Sequence, residues 1–164
     1  MTLENEKKAQ AGIASSNGPQ SSDLMTAVQR SHQALPRVGW IGTGIMGQSM
    51  AGHLLKAGYP LRVYNRSKAK AQTLIDTGAI WHDDLASLAE QSEILCTMLG
   101  YPSDVESIYW GGLGLDKPEA NSLFGSMRQG GLLIDFTTSS PALAKRIALQ
   151  ADKLGLSSLD APVS

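Results

Sequence analysis

One cysteine in 164 residues, Cys96, excludes a disulfide framework, and its place inside the apolar run "ILCTML" reads as a small buried hydrophobe. No cluster of Cys, His, Asp and Glu has the spacing of a metal-ligand set. A surplus of one charge is also missing. The formal net charge is −1, without the clustered Lys and Arg that DNA or RNA would require. No apolar run reaches the roughly 18 residues of a membrane span. Aromatic residues are absent from the first 35 positions, where "MTLENEKKAQAGIASSNGPQSSD" is polar and rich in Ser, Ala and Gln. Such a segment buries too little to offset its ordering entropy, so a disordered polar tail is expected over 1–35. It has no signal-peptide apolar core. Glu4 and Glu6, with a single arginine before Pro36, fit a transit peptide poorly. The cytosol is the expected compartment, with an organelle left open.

What is present begins at Pro36. Short apolar runs alternate with helical patterns: "RVGWIG", "LRVYN", "AIW", "EILCTML", "GLLIDFTT" and "LSSLDAPV" read as six strands. Helices are expected near 47–58, 68–77, 84–91, 103–109 and 141–154. The segment "WGGLGLDKPEANSLFGSMRQGG" reads as a long loop with a short helix around 119–128. Strands alternating with helices imply βαβ units and a parallel sheet covered on both faces. With right-handed crossovers the expected fold is α/β, a doubly wound Rossmann-type sheet over 36–164. In the first helix Gly47, Met50, Ala51, Leu54 and Gly58 fall on one apolar or small face, with Gln48, Ser49, His53 and Lys56 opposite. Ser140, Pro141 and Gly155 supply a cap, a first-turn residue and a stop for the last helix.

The stretch "RVGWIGTGIMGQSMAGHLL" places Gly42, Gly44 and Gly47 in a G-x-G-x-x-G spacing between a strand and a helix. The bland alternative is an ordinary glycine-bearing turn. In the dinucleotide reading Gly42 makes the tight turn, Gly44 lets a pyrophosphate approach the backbone, and Gly47 lets helix and strand pack closely. The phosphates would meet unpaired amides at the helix start, contributed by Thr43, Ile45 and Met46 as well as the glycines. At the end of the second strand, where NAD-selective sites usually carry an acid, the sequence reads "VYNRSKAK". Asn65 stands in the acid's place and Arg66 follows it. Arg66 can form charge-assisted bonds to the extra phosphate of NADP, Ser67 can donate another, and Lys70 lies one turn on. The alternative is that Ser67 merely caps the next helix while the cations are solvated. NADP is the expected cofactor, ahead of NAD.

These residues resemble the β-hydroxyacid dehydrogenases, a family that includes 3-hydroxyisobutyrate dehydrogenases and glyoxylate/succinic semialdehyde reductases. The resemblance runs from about Arg37 to Ser164. "VGWIGTGIMG" is similar to the family's cofactor loop and "VYNRS" to its NADP-preferring branch. "TMLGYPSDV" corresponds to the segment near the nicotinamide ribose, "IDFTTSSP" to D-x-S-T-x-x-P, and "DAPVS" to the start of D-A-P-V-S-G-G. The resemblance implies that Gly42 to Gly47 hold the pyrophosphate and Asn65, Arg66 and Ser67 the adenosine end. It places Leu99 and Gly100 along the cofactor, Thr138 near the nicotinamide, and Ser164 against the substrate carboxylate. Thr138 has a plainer alternative, a bond to local backbone before a helix. Asp135 and Asp160 read as turn or cap residues, and His53 as solvated.

The reaction so implied is reversible hydride transfer between NAD(P) and a small hydroxyacid or its aldehyde or keto partner. The family's general acid/base is a lysine beyond D-A-P-V-S-G-G, in a helical domain that also carries most of its dimer interface. The sequence ends at Ser164, ahead of both, and none of its lysines stands in the matching position. No catalytic residue is therefore assigned. The expectation is a truncated domain, inactive alone and taking substrate only if the helical domain is supplied, with oligomerisation open. Two alternatives remain: a dinucleotide-binding module without turnover, and a degenerate relative acting through protein contacts.

Overall fold

The computed structural model describes residues 34–114 and 116–163. The chain divides after Ala34, and the unit that begins at Leu35 contains every described strand and helix. Six parallel strands form one sheet in the order β3-β2-β1-β4-β5-β6: β1 Val38–Ile41, β2 Leu61–Tyr64, β3 Ile80–Trp81, β4 Ile94–Thr97, β5 Leu132–Asp135 and β6 Ser157–Asp160. Each pairing is parallel, with Val38 opposite both Leu61 and Ile94. Every expected strand is present. The central strand β1 is buried at all four positions, which is why it reads as a continuous apolar run rather than an alternation.

The helices are α1 Ile45–Lys56, α2 Gln72–Asp76 (preceded by a 3-10 turn, Lys68–Ala71), α3 Leu85–Glu90, α4 Pro102–Trp110, α5 Leu123–Ser126 and α6 Pro141–Lys153. Two apolar layers sandwich the sheet. Residues of α1 and α2, such as Ala51 and Leu74, pack with Trp40, Val63 and Cys96 on one face. On the other, Leu88, Tyr109, Phe124 and Ile147 from α3 to α6 pack with Ile41, Leu95 and Leu133. Ser140 caps α6 by accepting from the Leu143 amide at 3.2 Å, with Pro141 in the first turn, as its sequence implies.

Two details differ from the periodicity. Gly58 is exposed and lies beyond the end of α1, in left-handed backbone at φ +85°. It ends the helix rather than extending its packing face, while the Tyr59 amide reaches back to the Leu54 carbonyl at 3.1 Å. The short helix of the irregular segment covers only 123–126, because Ser122 caps it by accepting from the Gly125 amide. Among the described residues no helix is long and apolar enough to cross a membrane, and no group of three or more His, Cys, Asp and Glu could hold a metal.

Candidate dinucleotide-binding site

The strand order reverses between β1 and β4, and in open α/β sheets ligands bind in the crevice beyond the carboxyl ends of strands at such a point. The glycine loop lies there, and its three glycines differ in physical cause. Gly42 has φ +93°, and a Cβ on it would lie 2.1 Å from the Met98 carbonyl oxygen in the loop after β4. A Cβ on Gly47 would lie 2.0 Å from the Gly42 carbonyl oxygen. That oxygen also accepts from the buried Trp40 indole N–H at 2.9 Å. Packing within the protein therefore accounts for Gly42 and Gly47. It does not account for Gly44, around whose Cβ position there is no atom within 4 Å.

Open space at Gly44 faces the start of α1. The first amide to close a helical bond is that of Gln48, to the Gly44 carbonyl at 2.8 Å, so those of Ile45, Met46 and Gly47 have no partner within the helix. Ile45 is 92% exposed and Met46 49%, leaving the helix start uncovered. The Thr43 hydroxyl is buried without a hydrogen-bond partner. A row of free amides, a dipole end and a glycine with room beside it suit a bound pyrophosphate.

The loop after β2 borders this turn. Asn65 is half-buried and straps the two loops together: its side-chain oxygen accepts from the Thr43 amide at a long 3.5 Å, and its Nδ2 donates to the Ser67 carbonyl at 3.0 Å. Ser67 stands at the cap position of the 3-10 turn, yet its hydroxyl makes no capping bond. Arg66, Ser67 and Lys70 are exposed. Among the described residues neither cation has an ion-pair partner. Lys68, by contrast, lies over the Trp81 ring at 5.4 Å.

On the other side of the switch point the contacts are buried. Thr97, at the end of β4, donates from its hydroxyl to Asp135 Oδ1 at 2.8 Å and lies 3.3 Å from the Tyr109 hydroxyl. The same carboxylate oxygen accepts from the Thr137 amide at 3.0 Å. The Thr137 hydroxyl then accepts from the Leu99 amide at 2.9 Å. Burial pushes the Asp135 carboxyl above the usual carboxylate range and raises the Tyr109 phenol. Asp135 thus ends β5 rather than standing in a turn, and its carboxylate ties the end of β4 to the loop that follows β5. Thr137, Thr97 and Tyr109 were not singled out by the sequence. The signal was there in the pleat, since residues 135 and 137 share a face after a strand.

Leu99 is half-buried and Gly100 exposed at the same lip. Thr138 is exposed and donates to the Val163 carbonyl at 3.1 Å, a partner 25 residues away rather than local backbone. Ser164 lies outside the described residues. Cys96 is buried, which pushes its thiol up to about 12 and leaves it inert as a nucleophile. His53 and Asp160 are exposed. A groove of 410 Å³ between α1 and α2, around Gln48, His53 and Thr73, lies on the flank of the sheet and not in the crevice.

Known proteins share this fold. Residues 37–164 match the family model described as the NAD binding domain of 6-phosphogluconate dehydrogenase. An Arabidopsis thaliana protein named "Probable 3-hydroxyisobutyrate dehydrogenase-like 1, mitochondrial" is 49% identical over 144 residues, which are 88% of this chain and 39% of that protein. Among solved structures, Psf3 in complex with NADP+ and 2-OPP aligns with a TM-score of 0.70 at 29% identity, over 77% of this chain and 42% of that one. A Myxococcus stipitatus imine reductase variant in complex with NAD+ aligns with a TM-score of 0.63 at 29% identity, over 76% and 40%. The chain spans about 40% of the length of the relatives it matches.

Proposed function

The chain belongs to the family of the NAD binding domain of 6-phosphogluconate dehydrogenase, which makes it a dinucleotide-binding domain of the 3-hydroxyisobutyrate dehydrogenase type, and we propose that the dinucleotide it selects is NADP(H). The observation that carries this choice is the pair Arg66 and Ser67. Both are exposed at the end of β2, the serine makes no cap bond, and no carboxylate stands where an NAD-selective site would place one. An acid there would repel a 2′-phosphate, whereas a guanidinium and a hydroxyl bind it.

In this reading the amides of Ile45, Met46 and Gly47 hold the pyrophosphate beside Gly44. Arg66, Ser67 and Lys70 take the 2′-phosphate, and Asn65 sets the distance between the two loops. Leu99, Gly100 and Thr138 border the nicotinamide half. Residues 36–164 are the cofactor domain in this reading, while the expected polar tail over 1–35 lies, except for its last two residues, outside the described residues. The cofactor supplies the hydride chemistry when bound, and the activity we assign to the complete protein is hydride transfer between NADP(H) and a small hydroxyacid or its aldehyde or keto partner. Ser164 would meet that substrate's carboxylate.

The test is a titration of the chain with NADPH and NADH, followed by tryptophan fluorescence, because Trp40 is bonded to the Gly42 carbonyl under the loop. Tighter NADPH binding supports the proposal. Equal or tighter NADH binding overturns it.

A further inference from the structure

We infer that Asp135 and Thr137 are positioning residues that hold the loop after β4 at Leu99, and thereby shape the nicotinamide half of the cofactor crevice. The inference rests on the crevice being the NADP(H) site. It begins from a polar intrusion into an apolar layer. Along β5, Leu133 and Asp135 share a face; Leu133 joins the core of α3 to α6, and Asp135 beside it is only 4% exposed. A carboxyl group costs free energy in that setting unless its acceptors are used. Here one oxygen, Oδ1, takes both the Thr97 hydroxyl and the Thr137 amide.

The arrangement passes onward to Leu99. The Thr137 hydroxyl accepts from the Leu99 amide, fixing the residue that follows Met98. Met98 in turn presents its carbonyl to Gly42, so closely that only a residue without Cβ fits there. A chain of direct contacts therefore runs from the end of β5, through the β4 loop, to the first glycine of the phosphate turn. Among the described residues the β2 side is linked to that turn by two longer bonds, from the Thr43 amide to Asn65 at 3.5 Å and from the Gly42 amide to the Tyr64 carbonyl at 3.4 Å. Loss of the Thr137 hydroxyl would free the Leu99 amide and loosen one half of the crevice alone.

Calorimetric titration of the full chain separates this from a merely structural role. The ligands are NADPH and adenosine 2′,5′-bisphosphate, which lacks the nicotinamide half; NADH and ADP are run in parallel, so that an error about the 2′-phosphate leaves the result readable. Thr137→Val, which keeps the shape, should weaken NADPH about tenfold, the scale of one hydrogen bond whose buried partner is left unsatisfied. It should leave the bisphosphate within about twofold, since the half it occupies keeps its contacts. Thr137→Ser, which keeps the hydroxyl, should restore wild-type binding. Asp135→Ala should behave as Thr137→Val, and Asp135→Asn, which keeps an acceptor oxygen for both donors, as wild type. Unchanged NADPH binding by Thr137→Val overturns the inference, as does parallel loss of NADPH and the bisphosphate or a failure of Thr137→Ser to restore binding. Should Thr137→Val not fold, Asp135→Ala decides by the same outcomes, with Asp135→Asn as its rescue: unchanged NADPH binding, or parallel loss of NADPH and the bisphosphate, overturns the inference. Absence of dinucleotide binding by the wild type would instead overturn the functional reading on which the inference stands.

Discussion

The two sides of the switch point are built differently. Toward β2 the crevice is edged by exposed polar groups, Arg66, the Ser67 hydroxyl and Lys70, on a strand end that meets the glycine turn through long hydrogen bonds at Asn65 and Tyr64. Toward β4 and β5 it is edged by groups bonded to one another, the buried Thr97, Asp135 and Thr137 and the half-buried Leu99. Groups held only by solvent can change partner without disturbing the sheet, so the β2 side suits a choice between cofactors. Groups bonded within the protein set position, so the β4 side suits placement. The glycines divide in the same way: Gly42 and Gly47 answer to packing within the protein, and Gly44 to something that must fit beside it.

The largest effects should come from filling the two packed glycines. Gly42→Ala and Gly47→Ala each set a Cβ about 2 Å from a backbone oxygen, and Gly42 adds left-handed backbone. Each should cost roughly 2–5 kcal/mol in urea unfolding. Wild-type stability in both would erase the distinction among the glycines. Gly44→Ala should melt as wild type, because the space is empty, yet weaken NADPH by roughly tenfold to a hundredfold through overlap with the pyrophosphate. Unchanged binding would mean that the pyrophosphate lies elsewhere. Next comes Arg66→Ala, expected to weaken NADPH by roughly tenfold to a hundredfold, the worth of a hydrogen bond to a charged group. NADH should shift less than about twofold, since Arg66 then has no phosphate to lose. Equal losses for both cofactors would show that Arg66 does not touch the 2′-phosphate and that selectivity is not confined to the β2 side.

The exposed side was legible in the sequence because it is local. A glycine spacing and the residues at one strand end are read within about 30 positions, and the strand-turn-helix context they need is visible as a change of hydrophobic period. The buried side was not, because its bonds join residues 38 positions apart and depend on which of two adjacent threonines faces inward. Thr138 stood out by resemblance. The pleat instead turns Thr137 toward Asp135 and leaves Thr138 to hold Val163. Asn65 illustrates the same limit within the legible region. Its position was evident, but its work as a strap between Thr43 and Ser67 required coordinates. The capping alternative for Ser67 was also open in sequence, and that its side chain makes no cap bond is visible only in the structure.

The smallest effect bears on whether charge matters on the buried side at all. Burial raises the Asp135 carboxyl above its unfolded value, so the folded protein holds this proton more tightly than the unfolded chain does. Wild-type stability from this group is therefore fully present below the unfolded pKa of about 4 and is lost as pH rises through the raised folded value. Asparagine has no proton to lose, so the unfolding free energy of Asp135→Asn minus that of wild type should increase from pH 4 to pH 7. The cost of burying the amide hydrogens is the same at both pH values and drops out of that slope. So do the contributions of Glu93 and Glu106, whose pKa values are lowered chiefly by hydrogen bonds, from the Arg37 amide and the Arg146 side chain respectively. Paired urea titrations at the two pH values give the slope directly. A decrease toward pH 7 would mean that the ionised carboxylate is used by a partner, making Asp135 an electrostatic group like Arg66 across the crevice rather than a neutral acceptor for Thr97 and Thr137.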